Sequence, residues 1–336
     1  MPLKCRPAAF RIHALLVAAF AFALLAAPAA AQPDPAASYP NKPIRLIVGF
    51  AAGGGTDAMA RIYAPKLSEI LGQPVIIENR AGAGGRIAID FVQSQPADGY
   101  TLAFGALGQL AISAAIYPNL SFHPTRTLLP ITMISSYLMV LAVTPNDRLK
   151  TVQELVAYAK ANPDKANYPT ASPTFTISTE LLKLKTGMPG QLVPYRSSNE
   201  MLLSLAGGQT LFVIMDVPSV RPVAQGGRVR ALAVASKTRI SDMPDVATLT
   251  EAGLGDLDIP LQWNGLFAPA GTPATIVRKL EAASQRAMSD PAVRERTRAL
   301  AYNPESAGSN EFRARIDADI KMFSDVAKAA NLKFEQ

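Results

Sequence analysis

Apolar runs along the chain alternate with stretches whose apolar residues recur at helical spacing. The run PIRLIVGF, Pro43 to Phe50, is rich in β-branched residues and predicts a strand. DAMARIYAPKLSEILG then repeats its apolar positions every three to four residues and stops at Gly72, which predicts a helix. PVIIEN predicts the next strand. A helix follows from about Gly85 to Gln95, then a strand from Tyr100 to Ala106 and an apolar stretch from Leu110 to Tyr117. Strands alternating with helices of this length predict parallel sheets covered on both faces.

The middle of the chain repeats the alternation. TVQELVAYAKANP predicts a helix opened by Thr151, with Glu154 three residues on as a capping box. A short strand near Asn167, a helix carrying TISTELLKLKTG, a strand at GQLVPY, a helix at NEMLLSLAGG and a strand at LFVIMD follow, then a helix and strand ending in VRALAVAS. Beyond Ala268 the pattern is mainly helical. Two α/β units result, with crossings expected near LMVLAVTP and PLQWNGLFAPAG. QPDPAASYPNKP, ahead of the first strand, predicts little regular structure.

Composition changes the picture at the N-terminus. Lys4, Arg6 and Arg11, an Ala/Leu/Phe run to Ala27 and the small-residue stretch PAAAQP match the three regions of a secretory signal peptide, with cleavage expected after Ala31. No later segment offers the roughly 18 uninterrupted apolar residues of a membrane span. The expected product is an exported, soluble chain of about 305 residues, long enough for two domains. Residues 1–31 carry three of the 33 basic residues and none of the 26 acidic ones, so their removal takes the formal charge from +7 to +4. Without a Lys/Arg run or interleaved aromatics, that excess predicts a mild bias toward anions and no nucleic-acid binding. The single cysteine, Cys5, and one of the two histidines, His13, lie in the same leader. The remaining chain has no thiolate chemistry, no Cys-based or His-rich metal site, and only His123 for a hydrolytic triad. His123 precedes a proline in LSFHPT, which suits a loop or strand end. No cofactor, metal or catalytic residue is expected.

The strongest candidate chemistry is GFAAGGGTD, where a strand runs directly into a helix. Ligands bind at such loops in open α/β sheets. Glycines there admit positive φ and let backbone N–H groups converge, while the free amides and dipole of the helix favour an anion. Thr56 or Asp57 is the expected N-cap. A P-loop needs Gly-Lys-Ser/Thr, but Thr56 and Asp57 follow Gly55. The dinucleotide fingerprint fails here and in RAGAGGRI, where Ile87 stands at the third glycine position. A carboxylate suits two or three amide donors; a tight βα turn with no ligand is the alternative. A second loop, ENRAGAGGR, opens the next helix toward the same sheet end. Its Arg80 and Arg86 are read either as anion contacts or as surface ion pairs, Arg196 as a ligand contact or else as a solvated charge or a partner of Asp216, and Trp263 as a packing anchor rather than a ligand platform.

YPNKPIRLIVGFAAGGGTDAMAR, ENRAGAGGRIA with PADGYTLAFG, LVPYRSSNEML, GGRVRALAVAS, MPDVATLTEAG and WNGLFAPAGTP stand in order between Tyr39 and about Lys333. They resemble the successive signatures of the Bug family, the extracytoplasmic substrate-binding receptors of tripartite tricarboxylate transporters. The resemblance implies an α/β, two-domain periplasmic binding protein fold, type II-like, with a hinge and a ligand cleft between lobes. With the crossings above, 32–140 plus 266–336 would form one discontinuous domain and 141–265 the other. It implies that Phe50, Ala51, Gly53, Gly54, Thr56 and Asp57 hold one carboxylate through backbone groups and ordered water. Ala106 and Leu107 would adjoin them, with Ser172, Thr174, Phe175, Arg196, Ser197 and Asp216 opposite.

The sequence departs from the family at two places. YPTASPTFT replaces a loop that usually reads Tyr-Gly-Ser-Ser-Gly, so Pro169 and Pro173 remove amide donors and Phe175 adds apolar surface. GALGQLAIS, with Ala106 and Leu107, replaces a more hydroxyl-rich Gly-Thr-x-x-x-His pattern. Both changes count against a tricarboxylate and predict a monocarboxylate with an apolar or aromatic body, or a dicarboxylate whose far end meets Arg196. The expected partners are that acid and membrane permease subunits, with the receptor a periplasmic monomer. A ligand-binding co-receptor for a sensor kinase, or an exported enzyme using Asp57 or Asp216 as base, are the alternatives.

Overall fold

The computed structural model describes residues 36–329 apart from 147, 256 and 258; the leader expected over 1–31 lies outside the described residues. Strand β1 (Ile44–Val48), helix α1 (Gly55–Leu71), β2 (Val75–Asn79), α2 (Arg86–Gln93) and β3 (Thr101–Ala106) follow the predicted alternation. The apolar stretch after β3 is a π-helical turn, Gly108–Ile112, running into the short helix α3 (Ser113–Ile116). β4 (Leu128–Tyr137) and β5 (Met139–Val143) are nearly continuous. α4 (Val152–Ala161), β6 (Asn167–Thr170), α5 (Pro173–Thr186), β7 (Gln191–Pro194), α6 (Ser198–Ala206), β8 (Phe212–Asp216), α7 (Val217–Gln225), β9 (Arg230–Val234) and β10 (Ala247–Thr248) come next. The chain closes with β11 (Gln262–Pro269), α8 (Ala274–Ser289), α9 (Pro291–Ala299), β12 (Asn303–Pro304) and α10 (Ser309–Ala329).

These elements form two lobes. A six-stranded sheet has the order β12-β4-β11-β3-β1-β2, a four-stranded sheet the order β10-β9-β5-β8, and β6 and β7 pair with each other. The chain enters the four-stranded sheet at Met139 and returns to the six-stranded one at Gln262, so the expected boundaries at 140/141 and 265/266 fall within β5 and β11.

The sheets are mixed, which corrects the expectation of parallel sheets. β2, β1 and β3 are parallel, but β11 runs antiparallel to both β3 and β4, and β5 antiparallel to both β8 and β9. A parallel neighbour needs a crossover helix on its own sheet. β5 and β11 arrive from the opposite lobe without one.

Burial follows the sheet order. β3, β5 and β11 are buried along their whole lengths, as expected for central strands covered on both faces; β8, at the edge of its sheet, is equally buried. α1 buries Met59, Ile62, Tyr63 and Leu67 on one stripe. The capping box at Thr151 forms with both reciprocal bonds, Glu154 accepting from the Thr151 N–H and the Thr151 hydroxyl accepting in return. Trp263 is fully buried, packed edge-on to Phe312 at 5.0 Å between ring centres, and donates Nε1–H to Asp319 at 2.7 Å. His123 lies in the loop before β4, where its Nδ1 accepts from the Thr125 N–H.

Candidate functional site

The loop after β1 reaches α1 without a side-chain cap. Gly54, not Thr56 or Asp57, is the N-cap, with extended backbone (φ −77°, ψ 166°). Asp57 is three residues into the helix and turns back on the loop. Its carboxylate accepts from the Gly53 N–H at 2.9 Å, Arg61 Nε at 2.7 Å and Asn79 Nδ2 at 2.8 Å, and Asn79 also donates to Phe50 O. Burial alone would raise the Asp57 pKa; the bonds from Arg61, Gly53 and Asn79 outweigh it and hold the carboxyl below its ordinary value. Asp57 therefore shapes the loop and faces away from the cleft. With no capping side chain in front of them, the amides of Gly55 and Thr56 meet the cleft with the positive end of the helix dipole behind them.

The cleft narrows there to an inner chamber of about 40 Å³. Lobe one contributes Phe50, Ala51, Gly54, Gly55, Thr56, Ala106, Gly108, Gln109, Tyr137 and Tyr302; lobe two contributes Ala171, Ser172, Thr174, Phe175, Ser197, Ser198 and Asp216. Among the described residues, no lysine or arginine lines it. Asp216 is the N-cap of α7, its Oδ1 accepting the Ser219 N–H at 2.9 Å. Burial raises the Asp216 pKa; the hydrogen bonds at Ser219 pull it down by less. Tyr137 and Tyr302, packed edge-on at 5.1 Å between ring centres, are held protonated by burial first and by the Asp216 charge second.

Two contacts explain residue types that looked merely small. Gln109 is buried, donates Nε2–H to Gly85 O at 2.8 Å and accepts from the Ala106 N–H, so it ties together the loops after β2 and β3. A Cβ on Gly49 would lie 2.3 Å from the same Nε2, which requires glycine at the end of β1. The lobes also touch directly. A Cβ on Gly108 would lie 1.9 Å from Thr174 Oγ1, and Asn199 Nδ2 donates to Gly53 O at 3.3 Å across the cleft mouth.

Of the residues selected from sequence, Phe50, Ala51, Gly54, Thr56, Ala106, Ser172, Thr174, Phe175, Ser197 and Asp216 line the inner chamber; Gly53, Asp57, Leu107 and Arg196 do not. Leu107 is fully buried in the lobe-one core. Arg196 does not pair with Asp216 and instead lines a neighbouring chamber. Arg80 lies 3.9 Å from Glu78 and stacks on Phe91, and Arg86 stacks on Tyr117. Sequence reading missed Gly108, Gln109, Tyr137 and Tyr302, and carried Gly55, Ala171 and Ser198 only as members of the loops GFAAGGGTD, NYPTASPTFT and PYRSS. Gly55 was legible as the third glycine of the opened loop, but nothing near Tyr137 or Tyr302 in sequence signals a cleft.

A two-lobed α/β chain with a chamber between its lobes has clear relatives. Residues 59–332 match the model of the tripartite tricarboxylate transporter family receptor. The chain belongs to that receptor family. It is 32% identical to protein BugT of Bordetella pertussis over 308 residues, 91% of this chain and 94% of BugT. It is 37% identical to the Cupriavidus necator UPF0065 protein in the gbd 5' region over 304 residues, 89% of each. Among solved structures it resembles R. palustris Rpa4515 with adipate at a TM-score of 0.83 and 31% identity, covering 88% of this chain and 99% of that one. MatC from Rhodopseudomonas palustris with bound malate superposes with a TM-score of 0.81 at 31% identity, covering 86% and 99%. The periplasmic binding protein BugD gives 0.83 at 27%, covering 88% and 100%. The family and these neighbours are binding proteins. Among the described residues, no helix is long and apolar enough to cross a membrane, and no cluster of metal-ligating side chains occurs.

Proposed function

We propose that the chain is a periplasmic solute receptor that captures a small organic carboxylate between its lobes and delivers it to the permease subunits of a tripartite tricarboxylate-type transporter. The observation that carries this reading is the uncapped N-terminus of α1, whose Gly55 and Thr56 open onto an interlobe chamber lined by no basic side chain. An anion there is stabilised by backbone donors and the helix dipole, which suits a carboxylate. The adipate and malate held by two relatives are acids of this class. Hydrogen bonds to a charged group contribute roughly 1.5–3 kcal/mol each, so two amides fall short of the about 8 kcal/mol of a micromolar complex. The second lobe supplies the difference through Ser172, Thr174, Ser197 and Ser198, and closing on the ligand produces the shape that a permease recognises.

A thermal-shift screen of the protein against small organic acids tests the reading. A ligand at 100 times its Kd stabilises the fold by about 2.7 kcal/mol. Stabilisation by one or a few carboxylates, and by none of the matching amides or alcohols, is expected. No shift with any carboxylate would overturn it. Capture of permease subunits from membranes only when ligand is present tests the delivery step.

A further inference from the structure

The two lobes meet around the inner chamber through contacts of different kinds. At α5, Ile177 of lobe two is fully buried in one cluster with Leu107 and Leu110 of lobe one, and Thr174 abuts Gly108. Apolar contact of this kind parts only by exposing its surface to water. Between α7 and α9 the contact is polar. Arg221, five residues past Asp216 on α7, donates from Nη1 to Asp242 of its own lobe at 2.5 Å and from Nη2 to Ala299 O of lobe one. Ala299 is the last residue of α9, so its carbonyl belongs to the helix end that lacks helical donors and carries the negative pole of the dipole. The turn that follows bonds the Ala301 N–H to Arg298 O and the Tyr302 N–H to Thr297 O, with Ala301 at a φ of 60°, while Ala299 O faces the guanidinium. Arg221 and Asp242 keep 18% and 36% of their side-chain surface exposed, so water can reach this contact and replace it when the lobes part.

Both ends of the contact lie on segments that line the chamber. α7 starts at Asp216, and α9 leads within three residues to Tyr302; a Cβ on Gly55 would lie 3.5 Å from Asp216 Oδ1 and 2.5 Å from Tyr302 Oη. We propose that Arg221 is a latch, held in position by Asp242, that fastens lobe two to the C-terminal end of α9 and keeps this side of the cleft closed. The latch rests on the cleft being the capture site, and on no particular solute. It is made between protein groups alone, so it favours the closed shape whether or not the chamber is filled and slows the escape of every occupant by the same factor. The lobes open by parting at α7 and α9, with the Ile177 contact as the fixed side. Arg221 does not line the chamber and acts as a positioning residue for closure.

Distances across the α7–α9 seam test this. Spin labels on Gln225→Cys of α7 and Glu295→Cys of α9, both exposed positions, in a chain whose only native cysteine is removed by Cys5→Ser, are read by pulsed electron paramagnetic resonance without any solute. The parent is expected to show mainly the short distance. Arg221→Gln should raise the ratio of long to short about tenfold, the low end for a charged hydrogen bond, with the melting temperature unchanged. Asp242→Asn should move the ratio the same way by less, and Arg221→Lys should recover part of the loss, since it returns the charge without the guanidinium fork. With succinate and benzoate as probes, release measured by stopped flow should quicken in Arg221→Gln by one common factor. A parent already open without solute, a ratio unchanged in Arg221→Gln, or release quickened for one acid alone would overturn the latch. Failure of either acid to bind the parent would count against the carboxylate reading of the cleft, and the distances would still decide the latch.

Discussion

Replacing Asp216 by asparagine isolates the one acidic group that lines the inner chamber among the described residues. A Cβ placed on Gly55 would lie 3.5 Å from Asp216 Oδ1, so an anion held by the amides of α1 meets this carboxyl at close range. Two carboxylates about 4 Å apart, at an effective dielectric of about 20, repel by ~4 kcal/mol, about three decades of affinity. No lining lysine or arginine offsets that repulsion. Capture of a carboxylate therefore requires Asp216 to be neutral, and burial already raises its pKa toward that state. The expected consequence is proton uptake on binding. Above the free protein's Asp216 pKa, Kd should weaken about tenfold per pH unit, levelling after about three decades. The folded state also binds this proton more tightly than the unfolded chain. Stability contributed by Asp216 is accordingly present at acidic pH and lost as pH rises from the ordinary carboxylate range through the raised pKa. Calorimetry across pH, in buffers of different ionisation enthalpy, reads both the Kd slope and the proton count. Asp216→Asn should bind carboxylates with a flat profile and no proton uptake, and should outlast the parent in thermal melts at the basic end. An Asn variant that keeps the parent's pH slope, or one that binds at no pH, would refute the reasoning.

Gly55→Ala sets a Cβ 2.5 Å from Tyr302 Oη at the α1 N-terminus; the variant should fold yet lose the ~2.7 kcal/mol stabilisation expected from saturating ligand, as read by thermal shift. Asp57→Asn removes the carboxylate that gathers Gly53, Arg61 and Asn79. Its depressed pKa makes this contribution present at neutral pH and lost as pH falls through the folded value, so urea melts should show a deficit of about 1–3 kcal/mol near neutrality that shrinks in acid. A deficit independent of pH would count against the ionic account. Trp263→Phe leaves buried Asp319 without its 2.7 Å donor, and a loss of about 1.5–3 kcal/mol in denaturant melts is expected; a loss under ~0.5 kcal/mol would place Trp263 outside the lobe-one core energetics.

The parts of this molecule that were legible in sequence are those governed by local chemistry. The run from β1 through the glycines into α1, the Thr151–Glu154 capping box and the alternation of lobe one all follow from residue types within about one turn or one strand of each other. Antiparallel β11 and β5 were not legible, because pairing direction depends on which lobe a strand arrives from, and periodicity carries no such information. The helix start is subtler. Thr56 and Asp57 are good caps by type, yet Gly54 takes the cap position and Asp57 bonds backward to Gly53, a choice made by Arg61 and Asn79. Tyr137 and Tyr302 lie 165 positions apart by number and meet through the pairing of β12 with β4, which no short motif announces. Pro169 and Pro173 illustrate the opposite case. They were read as removing donors from a loop, and Pro173 does occupy the first turn of α5, where its missing N–H has no helical partner to lose.

The position of β11 has a consequence for the order in which this molecule can be assembled. It lies between β3 and β4, strands that do not otherwise touch, yet it is made more than a hundred residues after them. A chain emerging end-first can therefore finish the β2-β1-β3 half-sheet and much of the second lobe while β4 waits without a neighbour on either side. Insertion of β11 closes the gap, β12 then covers the far edge of β4, and Tyr302 arrives with it at the chamber wall. The wall of the interlobe chamber is therefore completed only after the six-stranded sheet has closed, because one of its residues travels with the last strand to join.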